Sequence, residues 1–276
     1  MCPDLEIHPD IRRLLSGNNL LREELAHLLA KYETMIHAVR PNLMALYQTK
    51  IGVWELKLLK EQANAARLKR KVELIQAQLN QGVLPDIFEI DKILDQEFVL
   101  WQAKIKEAAD KINDAENHMK SFLSPEKDRE FKKLYYALVK KCHPDVVAVV
   151  TEETNLLWYR VQRAYENNDL DELRAVALLA DRIKEIKNDV SSVAVLKDEQ
   201  KSLKSHIDRL TKEISALEKK PPFYMQNDLN NEKWINKRRR DIEKQIKSLQ
   251  NRIESYEKHL QSLLPGIKHA GRFSTN

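Results

Sequence analysis

The strongest constraint in this sequence is the regular recurrence of an apolar residue every three or four positions over long stretches. This spacing matches the 3.6-residue repeat of the α-helix and places the apolar residues on one side of it. One long stripe occupies positions 44–79, and the next occupies positions 87–122. Gly82 and Pro85 lie between them, and both residue types end helices. The pattern predicts two helices of similar length that pair antiparallel as a coiled-coil hairpin.

The composition favours a helical, elongated chain. The 276 residues include only 5 Gly and 9 Pro, whereas average usage would give roughly 30 of these turn-forming residues in total. Charged residues make up 32% of the chain and hydrophobic residues 42%, which is typical of long amphipathic helices with narrow apolar faces. We therefore expect an all-α, elongated protein without a single large globular core.

A similar design recurs in the C-terminal third. An apolar stripe over positions 183–217 is followed by Pro221 and Pro222 and then by a stripe over positions 242–263. This predicts a second antiparallel hairpin, in which about 183–218 pairs with 229–263. The predicted organisation is N-terminal helices at 1–41, a hairpin at 42–123, an intervening helical segment at 124–180, the second hairpin at 181–265 and a frayed tail at 266–276.

The intervening segment has shorter helical stretches and a concentration of positive charge. Its basic residues are Lys132, Lys133, Lys140 and Lys141, and no acidic residue lies among positions 132–141. Cations are favourable near the C-terminal end of a helix, so a solvated basic face explains the lysines without any partner. The alternative, which we favour, is a basic surface that meets an acidic partner.

The tripeptide His143-Pro144-Asp145 follows directly after this basic helix. Pro144 cannot continue a helix, and it restricts His143 to extended geometry. The loop is therefore expected to project from the helix end, where Asp145 can offer its carboxylate to an arginine of a partner.

This segment resembles the J domain of DnaJ-type co-chaperones, in which a basic helix II ends at a His-Pro-Asp loop and an antiparallel helix III packs back on it. The matching residues lie between positions 126 and 165, so the resemblance leaves most of the chain uncovered. The positions that match the inward-facing residues of helices II and III are Tyr135, Leu138, Trp158, Val161, Ala164 and Tyr165. Lys133 and Lys141 match basic positions of helix II.

The sequence departs from the family pattern in three ways. Valines at 146, 147, 149 and 150 replace the usual Lys or Asn after the tripeptide, and such an apolar loop could pack against a neighbouring hairpin and partly bury the site. No Tyr-x-x-Leu-Gly helix precedes the basic helix. No Gly/Phe-rich linker and no Cys-x-x-Cys zinc module is present, so the part of DnaJ that handles unfolded clients is missing.

A second tripeptide, His8-Pro9-Asp10, lacks a basic helix before it and an aromatic helix after it. We interpret this copy as the start of a helix, with Pro9 or Asp10 at its first positions. The remaining pattern of the first 41 residues predicts a longer helix from about Leu20 to Val39 that stops at Pro41.

The resemblance implies a function in protein binding. A J domain binds and stimulates a DnaK-type chaperone ATPase: the basic helix docks on an acidic surface of the ATPase domain, and the aspartate engages an arginine near its interdomain linker. Here the lysines and Asp145 would take these roles, and the coiled-coil arms would localise the activity or hold a client. The alternative is a coiled-coil scaffold with a degenerate, non-stimulating J-like unit, which is favoured if residues 146–150 bury His143 and Asp145.

Other classes of function find little support. There is no nucleophile motif and no glycine-rich phosphate loop, and the 8 histidines are scattered without metal-ligand spacing, so we expect neither an enzyme nor a cofactor or metal site. Cys2 and Cys142 do not form a metal-ligand motif, and Cys142 is expected to be a packing residue. No apolar run reaches 18 residues and no export signal begins the chain, so we expect a cytoplasmic protein that does not span a membrane.

The densest basic run is Lys237-Arg238-Arg239-Arg240. It could contact phosphates, but Asp241 and Glu243 follow at once and favour a solvated helix face. With 47 Lys and Arg against 42 Asp and Glu the net charge is only +5. From the sequence alone we therefore expect a protein partner rather than nucleic acid.

Overall fold

The computed structural model of this chain describes residues 9–120, 125–182 and 192–264. These residues form helices and short connections without any strand, which confirms the all-α prediction. The α-helices are α1 (Pro9–Thr34), α2 (Arg40–Tyr47), α3 (Val53–Asn80), α4 (Ile87–Glu97), α5 (Val99–Lys120), α6 (Pro125–Cys142), α7 (Glu152–Glu166), α8 (Leu170–Ala180), α9 (Val193–Glu218), α10 (Gln226–Leu229) and α11 (Glu232–Leu263). Short π-helical segments occupy Met35–Val39 and Gln48–Gly52, and a 3₁₀ turn occupies Phe223–Met225.

The N-terminal region differs from the sequence-based expectation. A single helix, α1, runs from Pro9 to Thr34 in place of a short helix and a longer one. Pro9 is its first residue, as the interpretation of the first His-Pro-Asp copy requires, because a proline at that position leaves no helical hydrogen bond unmade. Helical backbone also continues past Pro41, which lies at the second position of α2. Proline is tolerated in a first turn, so it does not end the helix here.

The chain divides into two compact units, Met1–Asn42 with Phe122–Tyr224 and Leu43–Ser121 with Met225–Asn276. Below they are called the first and the second unit. The basic helix and the His-Pro-Asp loop belong to the first unit.

In the second unit α4 and α5 run antiparallel to α3 and the π-helical segment before it. Near the turn, Lys71 Nζ lies 2.8 Å from Asp91 Oδ1, and far from it the Thr49 hydroxyl lies 3.9 Å from the sulfur of Met119. The turn contains Gly82 at φ +72°, a left-handed conformation that glycine adopts without strain.

A fourth helix, α11, completes this packing. Lys50 pairs with Glu232 at 3.2 Å near the start of α11, and Ile75 shares an apolar cluster with Leu260 near its end. The order of these contacts shows that α11 runs parallel to α3. The helices predicted as an antiparallel hairpin, now α3 with α4 and α5, therefore form part of a four-helix packing with α11.

In the first unit α1 and α9 also run parallel. The Asn18 side chain donates a hydrogen bond to the Leu196 carbonyl at 3.0 Å, and Lys31 pairs with Glu218 at 2.9 Å. Asn18 is completely buried. A buried asparagine that bonds across a helix pair disfavours other alignments of the two apolar faces, because they would leave its amide without partners.

The predicted second hairpin is wrong. Its arms, α9 and α11, belong to different units: α9 packs along α1, and α11 packs along α3. Apolar spacing reveals which face of a helix is covered but not which other helix covers it, and four stripes of similar character allow several pairings. Residues 183–191 of the first arm lie outside the described residues, as do residues 121–124, the first cysteine at position 2 and the predicted tail at 266–276.

The core of the first unit brings the J-like residues together. Tyr135, Leu138, Trp158, Val161 and Tyr165 are all buried in one cluster, as predicted. The cluster is larger than the resemblance implied, because α1, α8 and α9 contribute to it as well. Their buried residues are Leu25, Ala26, Leu29, Ala30, Leu170, Leu173, Val176, Ala180, Leu203, Ile207 and Leu210.

Within the described ranges, no helix combines the length and the apolar character needed to cross a membrane.

Candidate functional site

The loop after the basic helix α6 is a tight turn. The His143 amide donates to the Val139 carbonyl at 3.1 Å, which is the last helical hydrogen bond. The His143 carbonyl then accepts from the amides of Val146 and Val147 at 2.9 and 3.0 Å. Because one carbonyl holds both amides, the backbone around Pro144 is closed into a compact turn that ends α6.

A capping box begins the next helix. The Thr151 hydroxyl accepts a hydrogen bond from the Thr154 amide at 3.1 Å, and the Thr154 hydroxyl accepts one from the Thr151 amide at 2.9 Å. This reciprocal pair satisfies two backbone donors at the start of α7. Both ends of the loop are thus fixed by hydrogen bonds.

The ring of His143 is held between the loop and the core. It lies edge-on to the indole of Trp158, with ring centroids 4.6 Å apart, and its Nδ1 accepts a hydrogen bond from the Asp145 amide at 3.0 Å. Burial lowers the pKa of His143 below its usual 6.5, and the nearby Asp145 carboxylate partly opposes this shift. The ring is therefore neutral at pH 7, with its hydrogen on Nε2 because Nδ1 acts as an acceptor.

Asp145 is the exposed member of the tripeptide. Within the described part of the chain its carboxylate makes no hydrogen bond and no ion pair, whereas its amide is used to hold His143. The backbone of Asp145 is thus fixed while its charged end remains available.

The valines after the tripeptide anchor the loop without covering this carboxylate. Val146 is buried in the core of the first unit. Val147 and Val149 are half-buried, and Val150 is exposed. The apolar loop therefore turns toward its own helical unit, and it leaves His143 half-buried and Asp145 exposed.

Three of the four lysines are paired with acidic residues. Lys132 bonds Asp128 one turn earlier at 2.6 Å. Lys140 bonds Glu23 of α1 at 2.9 Å, and this hydrogen bond raises the pKa of the lysine.

Lys141 pairs with Asp181, immediately after α8. Lys133 is exposed and has no ion pair with any described residue. Glu23 and Asp181 were not identified from the sequence, because neither lies near the lysines along the chain. The basic face is thus partly neutralised by tertiary contacts.

Cys142 is buried in the same core, and burial raises the pKa of its thiol to about 11. A nucleophilic thiolate needs a lowered pKa, so this thiol stays protonated, and Cys142 acts as a packing residue at the end of α6.

Across residues 9–120, 125–182 and 192–264, no three His, Cys, Asp or Glu side chains converge as metal ligands.

The first copy of the tripeptide has a different setting. His8 lies outside the described residues, while Pro9 and Asp10 form the exposed first turn of α1.

No protein-family model, curated protein or solved structure matches this chain.

Proposed function

We propose that this protein is a J-domain-like co-chaperone that binds a DnaK-type chaperone and stimulates its ATPase. The observation that carries the proposal is the exposed carboxylate of Asp145 on a turn fixed at both ends, directly after a basic helix. The packing of α6 on α7 around Tyr135 and Trp158 supports it, because these are positions at which the chain resembles J domains.

The geometry suggests how each residue of the tripeptide contributes. Pro144 ends α6, and the neutral ring of His143 ties the Asp145 amide to Trp158. The Asp145 side chain is thereby presented with little freedom of its backbone, which reduces the ordering cost of binding an arginine of the chaperone. His143 is a positioning residue in this scheme, and Asp145 makes the contact.

The lysines supply an electrostatic attraction that acts over a longer range than the contact of Asp145 and is less specific. An acidic surface of the ATPase domain would meet Lys133 directly. It would compete with Glu23 for Lys140 and with Asp181 for Lys141. Exposed ion pairs of this kind contribute only about 0–1 kcal/mol each, so such an exchange costs little.

The second unit would provide the client-binding or localising arm. At the turn between α3 and α4, Val83, Leu84 and Phe88 expose 52%, 88% and 77% of their surface. Apolar residues clustered at an exposed turn support binding of an apolar segment of a client.

A scaffold with a degenerate J-like unit remains the second candidate. The ion pairs of Lys140 and Lys141 favour it, since a basic face occupied by its own acidic neighbours is less available to a partner. In this case Asp145 would be one polar surface residue among many.

Single-turnover ATP hydrolysis by the DnaK-type chaperone of the same organism separates the two candidates. We expect the wild-type protein to accelerate hydrolysis and both His143→Gln and Asp145→Asn to abolish the acceleration while circular dichroism and thermal unfolding show a folded protein. The matched controls are His8→Gln and Asp10→Asn, which should leave the stimulation unchanged. If the wild type stimulates none of the DnaK-type chaperones of the same organism, the co-chaperone proposal is wrong and the scaffold function is favoured. Equal losses from both tripeptides would show that the resemblance was assigned to the wrong copy.

A further inference from the structure

The four residues of the basic run at 237–240 have two different structural roles: two of them contact α3, and the other two face outward. The sequence alone does not separate these roles. The guanidinium of Arg238 bonds Glu55 of α3 at 3.2 Å. The guanidinium of Arg239 lies 4.1 Å from the ring centroid of Trp54. These two arginines flank the apolar contact between α3 and α11, so they contribute to packing.

The other two members of the run belong to an outward row. This row, here called the basic row, consists of Lys233, Lys237, Arg240, Lys244 and Lys247, and all five residues are exposed. Their spacing of four, three, four and three residues keeps them on one face of α11. At 1.5 Å per residue the row is about 21 Å long, with a cation about every 5 Å. Ser248, Asn251 and Ser255 continue the same face as uncharged hydrogen-bonding residues.

The acidic residues around the basic row do not neutralise it. Glu232 pairs with Lys50 and Glu243 pairs with Arg239, both on the side of α11 that faces α3. Asp241 reaches Lys244 only at 3.9 Å. The other four cations of the row have no ion pair with any described residue.

We propose that the basic row is a docking surface for the phosphate backbone of a nucleic-acid duplex. A straight line of cations neutralises phosphates and releases their counterions, and serine and asparagine side chains donate to phosphate oxygens. This binding is independent of base sequence, because a row that lies along phosphates reads no base edge.

Two features favour a duplex over other polyanions. Single-strand binding relies on aromatic side chains that stack with bases, and the outward face of α11 from 233 to 247 carries no aromatic residue. A helix that binds at a membrane surface inserts an apolar face. The apolar face of α11 is instead committed to α3 through Ile235, Ile242 and Leu260.

The test is fluorescence anisotropy of the full-length protein with a labelled duplex of about 20 base pairs at about 50 mM salt. One variant replaces all five residues of the basic row by glutamine. The matched control replaces four exposed lysines of α9 and the lysine at its C-cap, so that the net charge falls equally. These lysines are Lys197, Lys201, Lys204, Lys212 and Lys219. Glutamine favours helix at such exposed positions, and circular dichroism verifies that both variants are folded.

We expect the row variant to bind at least about tenfold more weakly and the α9 variant to stay within about threefold of the wild type. With five phosphate contacts, wild-type affinity should fall roughly 500-fold between 50 and 200 mM salt, and the row variant should show a much shallower dependence. Equal losses in the two variants would overturn the proposal, because general charge would then explain the binding. So would absence of wild-type binding, a preference for a single strand, or binding only to vesicles that contain phosphatidylserine.

Discussion

The imidazole of His143 meets the indole of Trp158 edge to face, with ring centroids 4.6 Å apart. Trp158 itself is part of the buried core of the first unit. The loop that carries Asp145 is therefore coupled to the packing between α6 and α7, and a change in the core should alter the position of the loop. The first two predictions follow from this contact.

Replacement of Trp158 by alanine should lower the free energy of unfolding by about 3–5 kcal/mol, because it leaves a large cavity in the core. It should also release His143 and so reduce any activity that depends on the loop. Urea denaturation measures the first effect. The control is Tyr159→Ala at the next position, whose side chain is 66% exposed and whose loss should change stability by no more than about 0.5 kcal/mol. Similar effects at the two positions would contradict the packing of α7 described above.

The stability that the neutral His143 ring contributes should depend on pH. Its folded-state pKa lies below the usual 6.5 because burial penalises the charged ring. Above pH 6.5 the ring is neutral in both states, and its full contribution is present. Below pH 6.5 the unfolded chain binds the proton first, so stability is lost as the pH falls toward the folded-state pKa.

The difference in unfolding free energy between the wild type and His143→Gln should therefore shrink between pH 7.5 and pH 5.5. Denaturation of both proteins at the two pH values measures it. An unchanged or larger difference at the lower pH would show that the ring is not desolvated against Trp158.

Removing the acidic partners of the lysines should strengthen binding to an acidic protein surface. Glu23→Gln frees Lys140, and Asp181→Asn frees Lys141. Each change should cost at most about 1 kcal/mol of stability, since these pairs are exposed to solvent. In the chaperone assay we expect half-maximal stimulation at a lower protein concentration, with an effect that disappears at high salt.

The control for these variants is Glu24→Gln. Glu24 is exposed beside Glu23 but makes no ion pair within the described residues. A gain from Glu24→Gln as large as that from Glu23→Gln would mean that net charge alone is responsible.

The packing of α9 on α1 can be tested at Ile207, which is 8% exposed within the core of the first unit. We expect Ile207→Ala to lower unfolding free energy by about 2–5 kcal/mol. The neighbouring exposed residue provides the control, and Asp208→Ala should change stability by less than about 0.5 kcal/mol. If Ile207→Ala is as stable as the wild type, α9 does not contribute to the core as described.

The sequence predicted the helices well and their partners poorly, for physical reasons. Periodic apolar residues locate a buried face, and Gly82 with Pro85 locates a turn, so α3 and the antiparallel arm after it were foreseen. That arm was predicted as one helix, but it is divided at Phe98 into α4 and α5. The parallel packing of α9 on α1 was not, because long-range partners leave no local signal. Asn18, which bonds the Leu196 carbonyl across that interface, was not identified from the sequence.

In the candidate site, too, local features were predicted and long-range contacts were not. The core positions Tyr135, Trp158 and Tyr165 were predicted from the resemblance of two neighbouring helices to a J domain. The role of α8 was missed, although Asp169 caps it and its apolar residues recur at the proper spacing. The pairing of Lys140 with Glu23 could not be predicted, because it depends on how α1 lies against α6.

The parallel packing of α1 on α9 has a consequence for protein synthesis. Asn18 and the Leu196 carbonyl to which it bonds are 178 residues apart in the chain. At about 5–20 residues per second, roughly 10–35 s of translation separate the two. For that time Leu25 and Leu29 are on a nascent chain whose α9 is not yet made. A ribosome stalled before residue 203 would therefore hold an α1 without its α9 partner, and such a nascent chain should be more sensitive to protease than the completed protein.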